Sequence, residues 1–240
     1  MMVSLVFALH AVPHAGVASP AFAGPFVLAA AAALMLLRVE SRTEAPLVEL
    51  SFFARRRFVV GVAIGSLSMF SIMSLLLYFN LYAQSPDGLG FTALETGAAL
   101  LPLSAALLAL ALSAPAVAAR VGQRSALGGG MALITLACAI IGVAVSGSGP
   151  VLLVIGLLAM GAGLAVPYAL APRLALSALA PEQAGQGAGL VNACTFLAGS
   201  VGVAGGAAAS ALGGFAAVLT MIALAGVLGF AVSRGISDTA

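Results

Sequence analysis

The chain has 240 residues, 62% of them hydrophobic and only 7% charged, with no lysine and a mean hydropathy of +1.21. Such usage lies far outside that of soluble domains and identifies a polytopic membrane protein. The net charge of +2 reflects nine arginines over seven acids, too slight a balance for a polyanion, so nucleic acid is excluded as a partner.

In chain order, MMVSLVFAL is an apolar run too short to cross a bilayer core, which needs about 20 residues. No positive charge precedes it, and His10, Pro13 and His14 interrupt it, so it reads as a partial helix rather than a signal peptide. The two histidines flank Pro13 in an outer loop and do not form a metal pair. Runs long enough to cross follow at 21–37, 58–82, 94–119, 127–145 and 151–171. A last stretch, 187–232, is too long for one helix and sized for two, with a tight turn expected at SALGG, 210–214. The fold class is therefore all-α, with seven full transmembrane helices plus an N-terminal partial helix. Soluble packing cannot hide so many helices apolar all round, and nothing alternates as a membrane barrel would.

The arginines test this count. Crossing once per span from Arg55, Arg56 and Arg57, the chain meets Arg120 and Arg124 after two crossings, Arg173 after two more and Arg234 after the last two. Arg38 and Arg42 share the loop of the triplet, so all nine fall on one side. The positive-inside tendency makes that side, and the C-terminus, cytoplasmic. The opposite loops carry Asp87, with Glu95 at a helix start.

Few residues offer chemistry. Glu95 stands three residues after Thr92, the spacing of a capping box, which favours a structural role over attraction of protons or cations. On the helix at 58–82, Ser71, Ser74, Tyr78 and Tyr82 share a face, while Asn80 and Gln84 sit near the outer end; the serines suit interhelical packing, and the phenols and amides suit a cavity wall. Pro102, Pro115, Pro167 and Pro172 are expected to interrupt or kink apolar helices. Gly163 and Pro167 mark the expected hinge of a cavity-lining helix that carries Tyr168, and Asn192 is the single amide of the next span. The glycine clusters GAGL, GQGAGL and GVAGG follow no strand and lead to no Gly-Lys-Ser/Thr, so close helix packing explains them better than phosphate binding. Cys138 and Cys194 lie in apolar runs with no disulfide or metal spacing. No buried Ser-His pair, acid pair or metal cluster supports an intramembrane enzyme, and no cofactor is expected.

With these positions placed, the loop PAVAARVGQRSAL resembles the cytoplasmic signature of the major facilitator superfamily at Arg120, Gly122 and Arg124, and departs from it at Pro115 and Ala119. EAPLVELSFFARRRFVVG is similar to the segment that precedes the C-terminal bundle in its fourteen-helix drug:proton antiporter branch. LYAQSPDGLGFTALETGAALLP and MGAGLAVPYALAPRLALSALAPEQAGQGAGLVNACTFLAGSVGVA resemble, in order, that branch's outer loop and its glycine-rich helix with the turn that follows. Thr195 and Phe196 stand where the family often carries Arg-Gln.

The resemblance implies a partial helix and central linker helix at 1–37, a cytoplasmic linker at 38–57, a C-terminal six-helix transporter bundle at 58–234 and a cytoplasmic tail at 235–240. It implies plasma-membrane efflux of small amphipathic or drug-like compounds and a role in drug resistance. Coupling by proton antiport would require a partner N-terminal half or a second chain; the alternative is an inactive half-transporter or a non-catalytic membrane subunit. The substrate-cavity candidates on this view are Tyr78, Asn80, Tyr82, Gln84, Tyr168 and Asn192.

Overall fold

A computed structural model describes residues 50–236; the partial helix and the run at 21–37 lie outside them. The chain divides into two compact units, Met1–Ser51 and Phe52–Ala240, and nearly all described residues belong to the second. Among the described residues the structure is helical, with no strand. After a 3-10 turn, Leu50–Ala54, the helices are α1 (Arg56–Gln84), α2 (Ala93–Ala99), α3 (Leu101–Val121), α4 (Gln123–Val143), α5 (Pro150–Leu176) and α6 (Ala184–Ser233).

Each helix begins and ends for a local reason. At 29 residues, α1 is ~43 Å long at about 1.5 Å per residue, enough to cross a ~30 Å hydrocarbon core with turns to spare. Its C-terminal carbonyls are taken up by the loop that follows, where the amides of Ser85, Leu89 and Phe91 donate to Leu81, Tyr82 and Ala83. The expected capping box then opens α2: the Thr92 amide donates to Glu95 Oε2 at 2.8 Å, and the Glu95 amide donates to Thr92 Oγ1 at 3.3 Å. Helix α2 stops at Leu100 because Pro102, in the first turn of α3, brings no N–H to the ladder. Together α2 and α3 form one membrane pass, Ala93–Val121. The other three prolines do not end their helices, which run on through Pro115 in α3 and through Pro167 and Pro172 in α5. In lipid, neighbouring helices can re-satisfy a ladder that one proline opens.

Among the described residues five segments are long and apolar enough to cross, and the last, Pro181–Ser233, is a double pass. Non-helical backbone at Gly213 (φ −158°, ψ 27°) and Gly214 (φ 61°, ψ −154°) splits α6 into arms at 184–212 and 215–233, at the turn expected from SALGG. The positive φ of Gly214 belongs to a region that only glycine enters freely. Five segments with one doubled make six passes. The first arm starts beside Leu179 and ends beside Tyr78; the second starts with Phe215 stacked on Tyr82 and ends with Gly235 beside the Arg56 guanidinium. The arms thus run antiparallel, and Arg234 returns to the end of the bundle that holds the triplet.

Glycine-lined seams hold the passes together. A Cβ at Gly202 would sit 2.6 Å from Phe70 O and 2.7 Å from Ser74 Oγ, so the first arm of α6 rides directly on the backbone of α1. At the crossing of α4 and α5, Gly130 and Gly163 face one another's backbone carbonyls. Close approach of this kind supplies the dispersion contacts that replace the hydrophobic effect in lipid. The main core cluster runs from Ile64 and Leu75 of α1 through Met131 and Ile134 of α4 and Leu157 and Met160 of α5 to Ile222 of α6.

Candidate functional site

The apolar passes bring polar groups together at three places. The first is the arginine end. All seven described arginines lie there: Arg55, Arg56 and Arg57 at the start of α1, Arg120 and Arg124 at the α3–α4 turn, Arg173 near the end of α5, and Arg234. Asp87 and Glu95 lie at the opposite end. Gly122 joins α3 to α4 with φ 84° and ψ 149°, a conformation nearly reserved for glycine. Its N–H donates to Ala118 O and its carbonyl accepts from Ala126, each at 3.0 Å, so one residue caps both helices. Arg120 and Arg124 are exposed on either side of it.

Arg55 has a role that its neighbours lack. Its guanidinium donates through Nη1 to Ala178 O, past the end of α5, and through Nη2 to Gln183 Oε1 at 3.2 Å. Gln183 Oε1 also accepts the Ala180 N–H at 3.3 Å. Beneath this bridge Phe52, Phe58 and Val62 are buried with Ala175 and Val191 in a core cluster of their own. The aromatic residues that flank the triplet thus seat it on the α5–α6 turn, where Arg55 pins the turn; Arg56 and Arg57 are exposed. No spacing rule links Arg55 to residues 123 and 128 positions away, and sequence patterning alone does not find this clasp.

The second place is a cavity of about 200 Å³ between α1, α5 and the first arm of α6, lined by Gly65, Met69, Tyr168, Pro172, Asn192 and Phe196, with Val191 and Thr195 closing it. Tyr168 is 50% exposed and Asn192 is exposed, and neither side chain hydrogen-bonds to the described residues. Both stand eight residues from the arginine end of their helices, ~12 Å into the bundle at about 1.5 Å per residue. Thr195 has no free donor, since its hydroxyl donates to the Asn192 carbonyl at 3.0 Å. One phenol and one amide therefore offer free polar groups on an otherwise apolar wall. A polar group in this setting costs free energy unless water, a ligand or another helix meets it.

The third place is a cavity of about 240 Å³ at the opposite end, lined by Tyr78, Leu81, Tyr82, Ser85, Ser210, Gly214 and Phe215. The six cavity candidates are thus divided: Tyr168 and Asn192 share one cavity, and Tyr78 and Tyr82 the other. Asn80 and Gln84 line neither; the Gln84 amide donates to Asn80 Oδ1, one turn away on the same helix. Ser71 and Ser74 are buried, and each donates to the carbonyl four residues earlier, at 2.8 and 2.7 Å. Gly163 and Pro167 sit in the seam against Gly130 and Ile134 of α4, so α5 meets its cavity through Tyr168 and Pro172 instead.

No curated protein matches the chain. The family model described as Major Facilitator Superfamily matches residues 1–203, a span that takes in α1 to α5 and most of the first arm of α6. A strand-free set of apolar passes, a glycine-capped α3–α4 turn between exposed arginines and this match agree: the chain belongs to the major facilitator superfamily of membrane transporters.

Proposed function

We propose that this chain exports small amphipathic compounds from the cytoplasm, with its arginine end and C-terminus on the cytoplasmic side of the plasma membrane. The cavity that holds Tyr168 and Asn192 carries the proposal. Its wall is apolar apart from one phenol and one amide, a combination that suits hydrophobic substrates with a single polar handle and gives loose selectivity. It lies nearer the arginine end, where a substrate from the cytoplasm or inner leaflet would enter. Residues 58–234 act as one six-helix half of the transporter, rocking about this site against a second half, from further chain or another subunit.

Proton antiport is the coupling that fits the fourteen-helix branch. The acids of the described passes are Glu95, held in its capping box, and Glu182, exposed in the first turn of the last pass at the arginine end, so the coupling carboxylate would come from the second half. This same observation favours a second reading, a membrane subunit without transport of its own.

Dye retention tests both. Cells that make the chain together with its second half should retain less of an amphipathic fluorescent cation such as ethidium than cells that make the second half alone. Asn192→Leu should weaken that efflux roughly tenfold, the effect of losing one hydrogen bond of about 1.4 kcal/mol. Equal retention with and without a fully inserted chain would overturn export and select the subunit reading.

A further inference from the structure

The cavity at the end opposite the arginines has a chemistry of its own. It shares no lining residue with the Tyr168–Asn192 cavity. The step along α1 from Met69 to Tyr78 separates the two by ~14 Å at about 1.5 Å per residue.

Its wall is a fixed set of rings. Tyr82 stacks on Phe215 with centroids 4.8 Å apart and planes 12° apart. Phe79 leans on the same ring at 6.2 Å. Tyr78 is held by its hydroxyl, which donates to Val203 O at 2.7 Å. These contacts exist without a ligand, so little ordering remains to be done on binding.

The charged side chains described at this end have one sign. Helix α1 and the first arm of α6 end at this cavity with their partly negative C-terminal ends, and the second arm of α6 starts there at Phe215 with its partly positive end, which leaves a net negative field from the helix ends. Asp87 and Glu95 are the only charged residues described at this end, and every described arginine lies at the other. The hydroxyls of Ser85 and Ser210, on the cavity wall, hydrogen-bond to no described residue and can accept from a ligand N–H. Aromatic faces attract cations through the ring quadrupole, and do so more strongly where water is displaced. At about 240 Å³ the space is below the ~300 Å³ at which drug-sized pockets begin, which restricts the occupant to about one ring.

We propose that this cavity is a second small-molecule site, separate from the export cavity, and that it binds a compact organic cation: an ammonium group carried on a single aromatic ring or a short alkyl body. A neutral molecule of the same shape gains the ring contacts but not the field of the helix ends. An anion meets a net negative field and no base. The site requires neither the direction nor the coupling of transport proposed above.

The three tyrosines of the chain provide the test. Two of them, Tyr78 and Tyr82, line this cavity, and the third, Tyr168, lines the other. The full chain would be labelled with 3-fluorotyrosine, placed in lipid nanodiscs and followed by fluorine NMR, each signal being assigned from a single Tyr→Phe variant. Benzyltrimethylammonium should shift the Tyr78 and Tyr82 signals together and saturably, with a midpoint distinct from that of any shift of Tyr168. Its neutral isostere neopentylbenzene should bind at least tenfold more weakly. In Tyr82→Leu, with Tyr78 as the remaining reporter, the midpoint should rise at least tenfold. Absence of a shift, a shift of Tyr168 alone, equal binding of the neutral compound, or parallel unsaturable shifts of all three signals would each overturn the site. Binding is read without transport, so these outcomes are independent of the dye-retention result.

Discussion

Gly202→Val is expected to prevent the first arm of α6 from closing on α1. A Cβ there meets the carbonyl oxygen of Phe70 at 2.6 Å and Ser74 Oγ at 2.7 Å. A flexible neighbour would move aside, but a backbone carbonyl in the middle of α1 moves only with its helix. Overpacking of this kind costs about 1–3 kcal/mol, and the upper end applies where backbone is the obstacle. Adding Gly206→Val should deepen the loss, because its Cβ meets the Tyr78 ring, which the bond to Val203 holds in place. Gly129→Val is the control: it lies in α4, is exposed, and its Cβ meets nothing within 4 Å. Thermal unfolding of the three variants in detergent should rank them double, single, control, with the control close to the parent. A Gly202→Val protein as stable as Gly129→Val would show that α1 and α6 do not pack along this seam.

Replacing Arg55, Arg56 and Arg57 together with glutamate is the second large change expected. The triplet is a third of the nine basic residues of the chain, and its inversion moves the charge balance across the first described pass by six. Orientation follows such biases, so a C-terminal reporter should leave the cytoplasm in most molecules, or the protein should fail to accumulate. The single variants separate anchoring from the clasp. Arg55→Ala removes a charged donor from Ala178 O and Gln183 Oε1, a loss of about 1.5 kcal/mol at the partly exposed end of the range for charged hydrogen bonds. It should increase protease cutting in the 177–183 turn. Arg57→Ala is exposed and bonds to nothing described, and should change neither readout. Identical digestion of the two single variants would contradict the clasp, and an unmoved reporter in the triple variant would contradict the anchoring role.

Much of the architecture was legible because lipid makes it so. Where backbone cannot bond to solvent, length and hydropathy determine the element, and the passes expected at 127–145 and 151–171 appear in α4 and α5 with ends shifted by a few residues. Local chemistry was legible too: Thr92 and Glu95 form their box, and the SALGG turn falls at Gly213 and Gly214. Arginine parity required an even number of passes after the triplet, and the return of Gly235 to Arg56 supplies it.

What escaped depended on rotation and on long-range contact. Tyr78 and Tyr168 look equivalent in sequence, each a phenol in an apolar run. Only the relative depth of α1 and α5 separates them into different cavities. Pro167 stands out in sequence as a hinge candidate, whereas its packing into the gap left by the facing Gly130 required the fold. The ARRR triplet announced charge and topology, whereas the Phe52 and Phe58 contacts that let Arg55 reach Ala178 required the fold.

The central claim is that Tyr168 and Asn192 face a cavity open to water and substrate rather than lipid tails, and single-cysteine accessibility tests it most directly. With Cys138 and Cys194, the two native cysteines, replaced by alanine, Asn192→Cys and Leu108→Cys would each be exposed in membranes to a charged, membrane-impermeant methanethiosulfonate applied at the arginine face. Leu108 is 64% exposed on α3 and belongs to the lipid-facing surface on this account. Asn192→Cys should react readily and be protected by ethidium, while Leu108→Cys stays unmodified. An unreactive Asn192→Cys, or equal reaction of both without protection, would contradict the cavity and the export function built on it.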